Sequence, residues 1–173
     1  LPPRGSPTVL ACQPLPSFGD RLAAIRERIA RTGRDPAEVG IVAVTKGRSV
    51  ADCQIAIDAG LIALGENRVQ EALPKLDALS GAEWHLIGHL QSNKVALVAG
   101  QFRLIQSIDS VRLAELLAER QPLQAVLLQV NVSREPDKHG ADPEEAVRVG
   151  RKGGELTRWE GLVGVGPLTG DPD

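Results

Sequence analysis

Methionine and tyrosine are absent from this chain, and aromatic residues make up only 2% of its 173 positions. The aromatics are Phe18, Trp84, Phe102 and Trp159. So few rings leave no base-stacking platform for RNA and no aromatic groove for proline-rich peptides. The two cysteines, Cys12 and Cys53, form no C-x-x-C pair. They are too few for a disulfide framework or a cysteine zinc site, so a reducing, cytoplasmic setting is expected. No run of 18 apolar residues exists, so no membrane-spanning helix is expected. Twenty basic against 22 acidic residues give a net charge of −2. That balance carries no electrostatic footprint for nucleic acid or an acidic membrane. Without an initiator methionine, Leu1 is not expected to be a natural start.

What remains is the composition of a globular domain, 42% hydrophobic and 24% charged. A chain this long buries roughly 70% of its unfolded surface, enough for one core. That core must be Val, Leu, Ile and Ala. Residues 1–17 hold five of the 12 prolines and read as a disordered leader. The expected organisation is a leader over 1–19 and one domain over 20–173. Val9 to Cys12 has the outline of a lipoprotein cleavage site, but the apolar stretch before it is too short for a signal peptide.

From Asp20 the apolar spacing predicts a helix capped by Asp20 and stopped by Gly33. Strands are then predicted at 41–45, 61–64, 84–87, 103–108, 125–132 and 161–165. Helices alternate with them at 49–60, 70–79, 92–99 and 111–120, and a last one begins at Pro143. Ser49 caps the first of these, and Asp109 or Ser110 caps the fourth. The last helix is expected to be weak or broken. Gly150, Gly153 and Gly154 fall inside it, and an interior glycine costs about 1 kcal/mol.

Strands alternating with single helices mean successive βα units and a parallel sheet. Two architectures compete, an open doubly wound sheet and a (β/α)8 barrel. Polar residues recur where the strands end: Lys46, Asn67, His89, Ser107 with Asp109, and Asn131. In a barrel such ends converge on one mouth. In an open sheet only the switch point gathers them. The recurrence favours the barrel.

Lys46 ends an apolar strand. Alternation puts Val42, Val44 and Lys46 on one face, and Ile41, Ala43 and Thr45 on the other. With the first set inward, Lys46 points into the mouth, where a partly desolvated amine could act as a nucleophile toward an aldehyde. A strand-end lysine can equally reach out to water. Asn67, in Gly65-Glu66-Asn67-Arg68, could bond a cofactor hydroxyl or only form an Asx turn. His85 and His89 flank an extended run. Four residues apart on a strand they lie roughly 13 Å from each other, too far for one metal ion. His89 is placed at the mouth and His85 among satisfied inner residues. The 164–170 segment lacks the helix that a dinucleotide loop needs. Asn131-Val132-Ser133 matches a glycosylation sequon but means little in a chain without a secretory signal.

Five strings then occur in order: IVAVTKGRS (41–49), GENRVQE (65–71), EWHLIGHLQSNK (83–94), QSIDS (106–110) and LLQVNVS (127–133). Together they resemble the pyridoxal phosphate homeostasis proteins, which are similar to the N-terminal barrel of alanine racemase without its second domain. The likeness runs from about residue 20 to 168. It implies an α/β, TIM-type (β/α)8 barrel carrying pyridoxal 5′-phosphate (PLP) as a Schiff base on Lys46. It also implies Asn67 close to the ring, with His89 added here as a third cofactor-binding candidate. The implied role is PLP binding and vitamin B6 homeostasis without catalysis, with PLP-dependent client enzymes as partners; a monomer is expected because no large exposed apolar stripe is evident. The alternative is a racemase-like enzyme, but a segment without tyrosine cannot supply the usual racemase tyrosine.

The chain departs from the family pattern at Thr45, where serine is usual. The family's phosphate-binding loops follow strands 7 and 8, and only about six βα units are legible. The expectation is therefore an incomplete barrel from a longer protein, with two exposed strand edges.

Overall fold

The computed structural model describes residues 17–135, 137–164 and 166. Most of the leader, Cys12 and most of 164–170 lie outside the described residues. The chain divides into two compact units between Gly40 and Ile41.

The first unit carries helix α1, Phe18–Arg31, and a 3-10 turn at Pro36–Glu38. Helix α1 starts earlier than the expected cap at Asp20. Ser17 is the true cap: its hydroxyl accepts from the Asp20 amide, and the Asp20 carboxylate accepts from the Ser17 amide. Asp20 therefore serves at the third helical position of a capping box.

The second unit alternates strands and helices throughout. Its strands are β1 Ala43–Val44, β2 Ala63–Glu66, β3 Glu83–Leu86, β4 Leu104–Ile108, β5 Ala125–Val130 and β6 Arg158–Gly164. Between them lie α2 Val50–Asp58, α3 Val69–Ala78, α4 Val95–Val98, α5 Val111–Ala118 and α6 Pro143–Gly154. Sheet order equals chain order, and every neighbouring pair is parallel. A doubly wound sheet reverses order at a switch point. This one never does, which is the wall of a (β/α)8 barrel with six of its strands described.

The register defines two faces. Glu66, Leu86, Ile105 and Val126 are successive partners and share one face. With Leu64 and Leu128 they are buried, as are Cys53 and Ala56 of α2, Ala72 of α3 and Leu117 of α5. This is the helix-covered face. Val44, Gly65 and His85 are partners on the opposite face. There the floor is tight: a Cβ at Gly65 would meet Val42 and Ile87 side chains at 3.1 and 3.2 Å.

Two helices differ from expectation. The 92–99 segment is a 3-10 turn, Ser92–Lys94, followed by the single turn α4. Helix α6 is unbroken; it runs 12 residues from an Asp142 cap with Pro143 in its first turn. Its glycines are a packing solution, because Gly153 and Gly154 admit the Trp159 indole against the helix.

Candidate functional site

The mouth of the sheet is built from the residues that follow the strands. β1 delivers Lys46 through a sharp turn. The Arg48 amide donates to the Thr45 carbonyl at 2.9 Å, with Gly47 at φ +66° between them. That backbone angle is one L side chains rarely adopt, so glycine fits there. The turn runs into α2, whose cap Ser49 exchanges hydrogen bonds with Asp52. Lys46 is exposed rather than partly desolvated.

Lys46, Gly47, Asn67, Arg68 and Glu71 line a cleft of about 360 Å³. An adjoining cleft of about 450 Å³ is lined by Asn67, Arg68, His89, Gln91, Lys94 and His139, among others. Asn67 and Arg68 belong to both. Lys46 and Asn67 thus come together in one cleft, and Asn67 and His89 in the other. Lys46 and His89 share neither.

His89 stacks on His139, ring centroids 3.9 Å apart and 7° from parallel. Its Nδ1 stands 3.5 Å from Asp109 Oδ2, longer than a good hydrogen bond. Burial and the neighbouring His139 push the His89 pKa below the ordinary imidazole value, against the pull of Asp109. His139 escaped the sequence reading. It sits in the polar 133–141 loop, whose path no periodicity reveals. That loop is tied down by Asn131, whose side-chain amide donates to the carbonyls of Glu135 and Lys138. Asn131 therefore organises the loop instead of serving as a free group at the mouth.

His85 accepts at Nδ1 from the Gln106 amide, 3.0 Å away, and is buried, which lowers its pKa. Ser107 is fully buried in β4, so it does not open to the mouth. Among the described residues, no group of three His, Cys, Asp or Glu side chains could hold a metal ion.

Beneath Lys46, on the helix-covered face, lies a buried ion pair that sequence reasoning missed. Lys75 Nζ is 2.6 Å from Glu66 Oε1 and 2.9 Å from the Thr45 carbonyl oxygen. The Thr45 hydroxyl donates to the same Glu66 oxygen at 2.6 Å. Lys75 lies in a helix beside Pro74 and looks from sequence like any surface lysine. The signal that could have found it was Glu66, a carboxylate at a helix-facing strand position.

Residues 21–167 match the family model described as the alanine racemase N-terminal domain. A Pseudomonas aeruginosa protein named pyridoxal phosphate homeostasis protein is 43% identical over 129 residues, 71% of this chain and 56% of its own length. The Escherichia coli K12 protein of the same name is 38% identical over 159 residues, 83% of this chain and 68% of its own. The chain thus spans about half to two thirds of the curated relatives it matches. The structure of PipY from Synechococcus elongatus PCC7942 with PLP bound superposes with a TM-score of 0.73 at 34% identity, covering 88% of this chain and 72% of PipY. Alanine racemase of Clostridium difficile 630 shares the fold at a TM-score of 0.66, with 14% identity over 82% of this chain and 39% of that one.

Proposed function

The chain belongs to the alanine racemase N-terminal domain family, alongside the pyridoxal phosphate homeostasis proteins, and on that premise we propose that it binds PLP and serves vitamin B6 homeostasis. The domain proposed to do so is the segment 20–173. The observation that carries the reading is Lys46 at the end of β1, sharing a cleft with Asn67.

The residues present suit the cofactor. When bound, PLP would supply an aldehyde, an electrophile that a primary amine can attack. Lys46 offers that amine. Asn67 offers both a donor and an acceptor for a ring hydroxyl. His89, held toward its neutral form, lines the adjoining cleft. Arg68 and Lys94 add positive charge that suits a phosphate-bearing ligand.

The role proposed is holding PLP and passing it to PLP-dependent clients, without turnover, by a cytoplasmic monomer. No helix among the described residues is long and apolar enough to cross a membrane. Racemisation needs a second acid or base facing Lys46 across the substrate. This segment has no tyrosine to offer for it.

The test is to add PLP, reduce with borohydride and map the modified peptide. Label is expected on Lys46, with a visible absorption band that Lys46→Ala removes. An unchanged band and label in Lys46→Ala would overturn the assignment. Exchange of the α-proton of an amino acid in deuterated water would replace the carrier reading by the enzymatic one.

A further inference from the structure

We propose that Lys75 is a positioning residue for Lys46, acting from the opposite face of the sheet through the peptide bond that carries Lys46. The inference rests on the reading that Lys46 holds the cofactor.

Every polar group of Thr45 is engaged. Its amide donates to the Gly65 carbonyl at 2.9 Å, and its hydroxyl donates to Glu66 Oε1 at 2.6 Å. Its carbonyl oxygen accepts from the Arg48 amide and from Lys75 Nζ, each at 2.9 Å. That carbonyl belongs to the Thr45–Lys46 peptide. Lys75 therefore grips the plane from which the Lys46 side chain sets out, and Glu66 holds both Lys75 and Thr45. Neither partner lines the cleft. Glu66 is fully buried and the Lys75 side chain 9% exposed, on the face that the helices cover.

Stability alone does not account for this arrangement. Burying two charges costs desolvation of both, and an apolar pair of similar volume commonly serves as well or better. Here Glu66 Oε2 also finds no partner among the described residues. What an apolar pair cannot do is hold a carbonyl oxygen. Lys46 has a flexible four-carbon stem, so its amine reaches the Asn67 cleft reproducibly only if its backbone is fixed. A misplacement of about 1 Å can cost roughly 100-fold in rate.

The deciding variant replaces the pair by apolar residues, Lys75→Met with Glu66→Leu. Its thermal melt is expected to match or exceed that of the unsubstituted chain. Borohydride-fixed PLP on Lys46 is expected to form about tenfold more slowly, with label spreading to exposed lysines such as Lys152. Without PLP, the Arg48 amide is expected to exchange hydrogen faster. Thr45→Ser, which keeps the hydroxyl, should retain the parent behaviour. A double variant with an unchanged melt, unchanged labelling and unchanged Arg48 exchange overturns the proposal. Should the double variant not melt cooperatively, Lys75→Met with Glu66→Gln decides, since it removes the grip on the Thr45 carbonyl and leaves a polar partner for the Thr45 hydroxyl. A severalfold slower labelling supports the proposal, and parent-like labelling overturns it. Failure of the unsubstituted chain to label at Lys46 would instead overturn the Lys46 reading, a different result from parent and variant labelling alike.

Discussion

Gly88 lacks a side chain where Asn67 needs the room: a Cβ there would lie 2.2 Å from the Asn67 carbonyl oxygen and 2.7 Å from its Cα. The atoms in the way are backbone, so no rotamer change relieves them. The segment after β3 thereby sets how the chain after β2 runs, and with it the position of Asn67, which is common to both clefts.

Gly88→Ala is therefore expected to act on both stability and site. Forcing a methyl against packed backbone costs about 1–3 kcal/mol. The urea midpoint should fall accordingly. PLP fixed on Lys46 by borohydride should fall with it even at temperatures where the variant is folded, because Asn67 is displaced. A parent-like midpoint would show that the loop after β2 shifts freely.

Stability is expected to drop as pH falls below about 6.5, the ordinary imidazole pKa. His85 and His89 both have pKa values lowered chiefly by burial. A lowered histidine binds fewer protons folded than unfolded, so its contribution is present above the unfolded pKa and is lost as pH falls through the folded one. His89 faces His139 and Asp109, with Arg68 and Lys94 lining the same cleft. Protonating both stacked rings would bring two like charges together. Melting temperature measured from pH 7.5 down to pH 5.5 should decline, and His89→Gln should flatten the decline. An equal slope in the variant would assign the effect to His85.

The alternation of apolar strands and helices was legible because a parallel sheet covered by helices needs near-continuous apolar strands, as in Ala125–Val130. Strand ends were less so. Glu66 reads as the start of a polar loop, yet it is the last residue of β2 and fully buried, because Lys75 and Thr45 satisfy one of its oxygens. Lys46 and Asn67 stood out as polar residues closing apolar runs. His139 and Lys75 did not, since each matters through a partner far away in sequence. Helix α6 went against propensity for a similar reason. Its Gly153 and Gly154 make room for Trp159, which no local pattern reveals.

Ser49→Ala is expected to cost about 1 kcal/mol by removing the cap of α2. The Ser49 hydroxyl accepts from the Asp52 amide at 3.1 Å, and the Asp52 carboxylate accepts from the Ser49 amide at 2.9 Å. These bonds lower the Asp52 pKa. A lowered carboxylate contributes above its unfolded pKa and loses that contribution as pH falls through the folded value. The difference between Ser49→Ala and the parent should therefore shrink below about pH 4. Ser49→Thr, which keeps the hydroxyl that both accepts from the Asp52 amide and donates to the Asp52 carboxylate, should stay near the parent's urea midpoint at neutral pH.

Gly153→Ala sets two effects against each other. Helix propensity alone favours alanine by about 1 kcal/mol, since glycine has greater backbone freedom to lose. Packing opposes it: a Cβ at Gly153 would stand 2.4 Å from Trp159 Cζ2, inside the closest approach of two carbons. Trp159 belongs to β6 and packs against the cluster of Leu128, Val130, Ala141 and Val149. Moving a ring of that size to make room would disturb both α6 and β5, and overpacking of this kind costs about 1–3 kcal/mol. The clash with the indole therefore outweighs the gain in helix propensity. Gly153→Ala should lower the urea midpoint and change the tryptophan fluorescence, although the substitution looks favourable for the helix. Trp159→Leu combined with Gly153→Ala should recover part of the loss, because the smaller side chain leaves room for the methyl group. A gain in stability from Gly153→Ala alone would mean that the indole swings clear of α6 at little cost.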